Sequence, residues 1–148
     1  MAETREDGAG GIVIEITDDP ITADALVARV ADPGAGALVT FLGTVRDEHH
    51  GRAVDRLDYA AYGGMAEKEM RKIALSVRER FGALHVVIVH RLGTLEVGEV
   101  SIGIALSFPH RKESFDALRT VIDTFKETVP IWKREHFTDG EAVWVEGS

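Results

Sequence analysis

Two lysines seven residues apart, Lys126 and Lys133, flank Pro130 in the run Phe125 to His136. Periodicity puts Lys126 in the last turn of a helix, and Lys133 opens Lys133-Arg134-Glu135-His136 just past Pro130-Ile131-Trp132. Proline removes a backbone donor and drives Val129 towards an extended conformation, so the helix stops and the chain turns. Two ammonium groups then converge on one concave corner. Such a corner suits an anionic ligand, and a lysine with a depressed pKa there serves as a base or nucleophile. The plainer alternative is a lysine favoured by the helix dipole, followed by a half-exposed strand.

Other residues extend the cationic theme. Pro109-His110-Arg111 stands where a strand hands over to a helix, whose free N–H groups favour anions. Arg46 ends another strand, Phe41-Leu42-Gly43-Thr44-Val45, in which Gly43 permits close backbone approach. Lys112, Arg119 and Lys126 recur at seven-residue spacing along one helix; Asp116 and Asp123 are expected to pair with the first two, leaving Lys126 at the edge of the apolar face. The stretch 110–136 carries a net charge of +1 in a chain of −8. A local cationic pocket on an acidic body fits a small anion and argues against nucleic acid, whose binding rests on clustered Lys and Arg.

Several chemistries are excluded or unsupported. The chain has no cysteine, which removes disulfides, thiolate metal sites, iron–sulfur clusters and any persulfide relay. The adjacent His49-His50 on a loop, and His85 with His90 on opposite sides of a strand, make a poor metal set, so no metal or cofactor is expected. No glycine cluster has phosphate-loop context, and no Ser-His-Asp set stands out.

The elements that hold these groups follow from patterning. Strands are expected over 12–16, 37–45, 54–62, 84–89, 100–108, 131–137 and 142–145, with 54–62 the hairpin partner of 37–45 across the charged loop 46–52. Thr22 caps a short helix with Ile21 and Leu26 as a hydrophobic staple, ended by Asp32-Pro33-Gly34. Two long amphipathic helices span about 65–81 and 111–128, the second with Phe115, Leu118, Ile122 and Phe125 on its apolar stripe. Strands interspersed with only two long helices predict an α+β fold, not a doubly wound sheet. Residues 1–11 read as a flexible polar tail without a signal-peptide pattern, and 12–148 as one domain; no run suits a membrane span, and a cytoplasmic location is expected.

In order, Phe41-Leu42-Gly43-Thr44-Val45-Arg46, Leu57-Asp58-Tyr59 leading to Gly64-Met65-Ala66-Glu67-Lys68, His90-Arg91-Leu92-Gly93, Pro109-His110-Arg111 and Phe125-Lys126 through Glu135 resemble the large, catalytic subunit family of molybdopterin synthase. The resemblance implies a hammerhead-type α+β fold with a mixed sheet. It implies a homodimer that binds a small ubiquitin-like sulfur carrier, ending Gly-Gly, at each end to form a heterotetramer. The implied reaction passes two sulfurs from the carrier's thiocarboxylated C-terminus to cyclic pyranopterin monophosphate. Carried over by position, Lys126 and Lys133 are the catalytic residues, and Thr44, Val45, Arg46, His110, Arg111, Arg134 and Glu135 bind substrate. Thr44 stands where some members carry lysine, and Phe108-Pro109 where a small pair is common. This chain ends Glu146-Gly147-Ser148, unlike the carrier. The rival reading is a non-catalytic dimeric module that grips the C-terminal tail of a partner.

Overall fold

A computed structural model describes residues 3–6 and 10–146. The strands are β1 (Glu3–Glu6), β2 (Ile12–Thr17), β3 (Ala37–Thr44), β4 (Glu48–His49), β5 (Arg52–Ala61), β6 (His85–Arg91), β7 (Gly93–Glu96), β8 (Val100–Phe108), β9 (Ile131–Phe137) and β10 (Ala142–Glu146). The helices are α1 (Ala23–Val30), α2 (Met65–Phe81) and α3 (Ser114–Thr128), the last preceded by a 3-10 turn at Arg111–Glu113.

The α+β class holds, with the strands divided between two sheets. Sheet one has the order β1-β2-β6-β8-β3, mixed because β2 and β6 run parallel. Sheet two has the order β10-β9-β5-β4, with β7 on the other side of β5, and is antiparallel. α2 and α3 cover one face of sheet one and enclose the main core, which includes Ile14, Met70, Ile88, Ile104, Leu106, Phe108 and Phe125. α1 covers the other face through Leu26 and Val30, above Val87, Val89 and Ala105. Covered on both sides, β6 and β8 are nearly continuous apolar runs, as buried strands must be. Gly103 lets α1 approach β8: a methyl group there would meet Leu26 Cδ1 at 2.7 Å.

Thr22 caps α1 as its sequence predicts, its hydroxyl accepting from the Ala25 amide at 3.3 Å. Thr22→Ala is expected to lower the unfolding free energy by about 1 kcal/mol, read as a shift in urea midpoint at unchanged slope.

Three expectations are corrected. The 54–62 strand does not pair with 37–45: β3 pairs with β8, and β5 with β9 and β7. The short hairpin instead forms between β4 and β5, through the two-residue turn His50-Gly51 with φ of 52° and 77°. A bulge at Gly43/Thr44 then lets the chain leave sheet one for sheet two. On α3 the buried stripe is Ser114, Ala117, Val121 and Phe125, whereas Phe115 is 72% exposed. A helix starting at Ser114 with small residues towards the sheet packs closely and turns Phe115 outward. Neither Lys112–Asp116 nor Arg119–Asp123 closes an ion pair among the described residues. Of the tail expected at 1–11, Glu3–Glu6 pair antiparallel with β2; residues 1, 2 and 7–9 lie outside the described residues.

Candidate active site

The bulge that ends β3 presents Thr44, Val45 and Arg46 to the space between the two sheets, and α3 delivers Phe125 and Lys126 from its last turn. Beyond Pro130 the chain re-enters as β9. Strand alternation puts Ile131, Lys133, Glu135 and Phe137 on its inner face, and Trp132, Arg134 and His136 on its outer face. Arg46, Lys126, Lys133 and Glu135 thereby line one cavity of about 290 Å³, with Tyr59 from β5 and Ser101 from β8 in its wall. Among the described residues, Arg46, Lys126 and Lys133 form no ion pair. Three cations against the two carboxylates of Glu48 and Glu135 leave the lining net positive and raise the potential that an anion meets there.

Lys133 lies directly across the ladder from Tyr59. Burial, and then the nearby Glu135 carboxylate, push the Tyr59 phenol above its ordinary pKa, so it stays a protonated donor. Glu135 is 4% exposed and hydrogen-bonds the His49 ring at Nδ1, 2.8 Å away. His49 reaches it because the His50-Gly51 turn fixes the β4–β5 hairpin over the cavity mouth. The sequence showed His49 only as half of a poor metal pair; the signal that would have placed it at the site was His50-Gly51 as a two-residue turn.

Behind the wall lies His90, fully buried. Its ring stacks on Phe125 at 5.7 Å and meets Tyr59 edge-on at 5.1 Å. Nδ1–H donates to the Arg91 carbonyl at 2.8 Å, and Nε2 has no hydrogen-bond partner among the described residues. Burial lowers the His90 pKa to about 4, so the ring is neutral at pH 7.

The structure thus brings together Thr44, Val45, Arg46, Lys126, Lys133 and Glu135. It places the other candidates elsewhere on the chain. His110 and Arg111 line a separate groove with Gly36 and Pro109. That groove is at the far end of β8 from Ser101, roughly 25 Å along the strand. Arg134 points outward beside the Trp144 ring, 5.9 Å from its centroid. Among the described residues no group of His, Asp and Glu is arranged to hold a metal ion.

Residues 16–128 match the family described as MoaE protein. The molybdopterin synthase catalytic subunit of Halalkalibacterium halodurans is 45% identical over 130 residues, 88% of this chain and 83% of that protein. The protein of the same name from Pyrococcus abyssi is 46% identical over 121 residues, 82% of this chain and 81% of its own. Among solved structures, molybdopterin synthase from Staphylococcus aureus superposes with a TM-score of 0.82 at 37% identity, covering 88% of this chain and 94% of that one. With the family matched over most of its length and the fold shared with a solved relative, the chain belongs to the MoaE family.

Proposed function

We propose that this chain is the catalytic subunit of a molybdopterin synthase, a sulfurtransferase that moves two sulfurs from a thiocarboxylated carrier to cyclic pyranopterin monophosphate. The observation that carries the reading is the convergence on one cavity of Lys126, Lys133 and Arg46, none in an ion pair among the described residues. A thiocarboxylate and a phosphate are both anions, and both are drawn to that cavity. Replacing oxygen substituents by sulfur requires stabilising a developing negative charge and protonating the leaving oxygen, tasks suited to the two ammonium groups and the Tyr59 hydroxyl. The chain has no thiol, so the sulfur arrives on another molecule: a small ubiquitin-like carrier whose Gly-Gly tail is narrow enough to enter the cavity. We place the complex in the cytoplasm.

The working unit in this reading is a homodimer with a carrier on each subunit, a heterotetramer. β3 is an outer strand of sheet one and exposes Leu38 and Leu42, an edge that invites pairing. Antiparallel pairing of two β3 strands about a twofold axis sets the Gly36 end of one beside the Thr44 end of the other. The Gly36 amide bonds to the Phe108 and Pro109 carbonyls at 2.9 and 3.2 Å, so His110 and Arg111 travel with that end. Each cavity then receives His110 and Arg111 from the opposite subunit, completing a phosphate site with Arg46.

Mixing the chain with thiocarboxylated carrier and the pyranopterin phosphate should yield the dithiolene by mass spectrometry; no product under single-turnover conditions overturns the reading. Arg111→Lys should weaken pyranopterin binding at least ~10-fold, because an ammonium cannot reproduce a bidentate guanidinium–phosphate contact. Mixed dimers of Arg111→Ala and Lys126→Ala subunits should regain activity that neither variant has alone. Absence of that complementation excludes a shared cavity.

A further inference from the structure

Glu135 does not take the partner that charge alone would select. It shares the cavity with Arg46, Lys126 and Lys133, yet among the described residues it pairs with none of them. Lys133 is two residues away on the same face of β9, roughly 7 Å along the strand, which the two long side chains can span. The carboxylate turns instead to His49, whose Nδ1 stands 2.8 Å from each of its oxygens. A carboxylate only accepts, so Nδ1 carries the proton and donates.

His49 is built into place for this contact. The β4–β5 hairpin is closed by the Val54 amide on the Asp47 carbonyl at 2.8 Å, and its turn residue His50 has a φ of 52°, a left-handed conformation uncommon outside glycine. In that conformation the His50 ring lies against the His49 ring, with centroids 4.1 Å apart. On the returning strand, Arg52 donates to Asp139 and Glu141 at 2.9 Å each, and its guanidinium covers the Phe137 ring at 3.7 Å. These contacts tie the hairpin to the turn between β9 and β10, close to Glu135. A donor fixed in this way holds its acceptor without an entropic search at each encounter.

We infer that His49 is a positioning residue: its Nδ1–H holds the Glu135 carboxylate off Lys133, Lys126 and Arg46, so that all three cations stay open to the anionic groups of the substrate. A carboxylate released inside the cavity would close an ion pair with one of them. An incoming anion would then have to break that pair before it could bind. Held by His49, Glu135 still acts on the Tyr59 phenol, so its charge is retained in the wall without being spent on the lysines. The identity of the anion, pyranopterin phosphate, rests on the sulfur-transfer reading; the placing of Glu135 does not.

The position requires a hydrogen-bond donor at one point and not an imidazole as such. Asparagine sets its amide nitrogen where Nδ1 stands in histidine, so His49→Asn keeps the donation and His49→Ala removes it. The Val54–Asp47 bond and the Arg52 contacts do not involve the His49 side chain, and the hairpin should survive both changes.

Calorimetric titration of the full chain with pyranopterin phosphate, in the absence of carrier, tests this. His49→Ala should weaken binding about 10-fold, and His49→Asn should stay within about threefold of the parent. In a Glu135→Gln background the same His49→Ala change should cost less than about twofold, whatever Glu135→Gln does by itself, because no charge remains to be released. An equal loss in both backgrounds overturns the inference: a role in hairpin packing, or a direct contact with substrate, would not depend on the charge of Glu135. A crystal structure of His49→Ala gives a second measurement. It should show the Glu135 carboxylate within about 4 Å of Lys133, Lys126 or Arg46; a carboxylate left in its parental place overturns the inference. A parent that binds no pyranopterin phosphate refutes the sulfur-transfer reading, and the place of Glu135 in that crystal structure then decides the role of His49 alone.

Discussion

Replacing Lys126 or Lys133 with alanine is expected to lower dithiolene formation at least ~100-fold, the loss typical of removing a positioned acid–base or charge-stabilising group. Both ammonium groups face the cavity and neither is tied into an ion pair among the described residues. Their removal therefore leaves no buried carboxylate stranded, and the unfolding midpoint should move little. The two variants should also differ in kind. Lys126 extends from a helix end, where its loss changes only the cavity rim; Lys133 sits across the ladder from Tyr59 and two residues from Glu135, where its loss also changes the charge next to the phenol. Single-turnover mass spectrometry with saturating carrier separates chemistry from docking. Near-parent rates in both variants would remove the lysine mechanism while leaving family membership untouched.

Acid should destabilise this fold through His90. The native ring has a pKa of about 4, against about 6.5 in an unfolded chain. Between those values the unfolded state takes up a proton that the native state does not, so stability falls as pH drops from about 6.5 towards 4. The full difference is about 3 kcal/mol. It is regained as pH rises through 6.5. Asp32, whose carboxyl the Gly34 amide and then His85 hold below its ordinary pKa, loses its contribution only at still lower pH, outside this window. Urea midpoints measured from pH 7.5 to 4.5 should decline in the parent and flatten in His90→Leu, whatever the absolute stability of the variant. An equal decline in both would show that the proton goes elsewhere. The site is linked to this titration: the ring that must stay neutral supports Phe125 and Tyr59, both walls of the cavity.

What could be read from the sequence divides along physical lines. Local signals were legible: the Thr22 cap, the helix stop before Pro130, the burial of β6 and β8, and the placing of Lys126 and Lys133 at one corner. Pairing across long separations was not. Proximity in sequence suggested a hairpin between β3 and β5, but the tight turn at His50-Gly51 belongs to β4 and β5, and β3 pairs some sixty residues away, as in Thr40 with Ala105. The apolar stripe of α3 was misplaced for another reason. Phe115 outweighs Ala117 and Ser114 in hydrophobicity, yet close helix–sheet packing selects the small side chains. For the site, residue type and order sufficed for Arg46 and the two lysines. The link between His49 and Glu135 needed the fold, as did the finding that His110 and Arg111 line a separate groove.

The cavity's construction from both sheets has a kinetic consequence. Its walls are contributed from Phe41 to Glu135, and the ladders that assemble them join partners far apart in the chain: Ile12 with Val86, Ala37 with Phe108, Leu57 with Glu135. Closing loops of that size costs entropy before any contact returns it, which makes such topologies slow to form. β9, which supplies Lys133, follows β3, β5 and β8 in chain order. Any state in which β9 has not docked lacks Lys133 and leaves β5, Tyr59 included, without its neighbour across the ladder. The cavity lining is therefore complete only once β9 has paired with β5, which brings Lys133 and Glu135 in together.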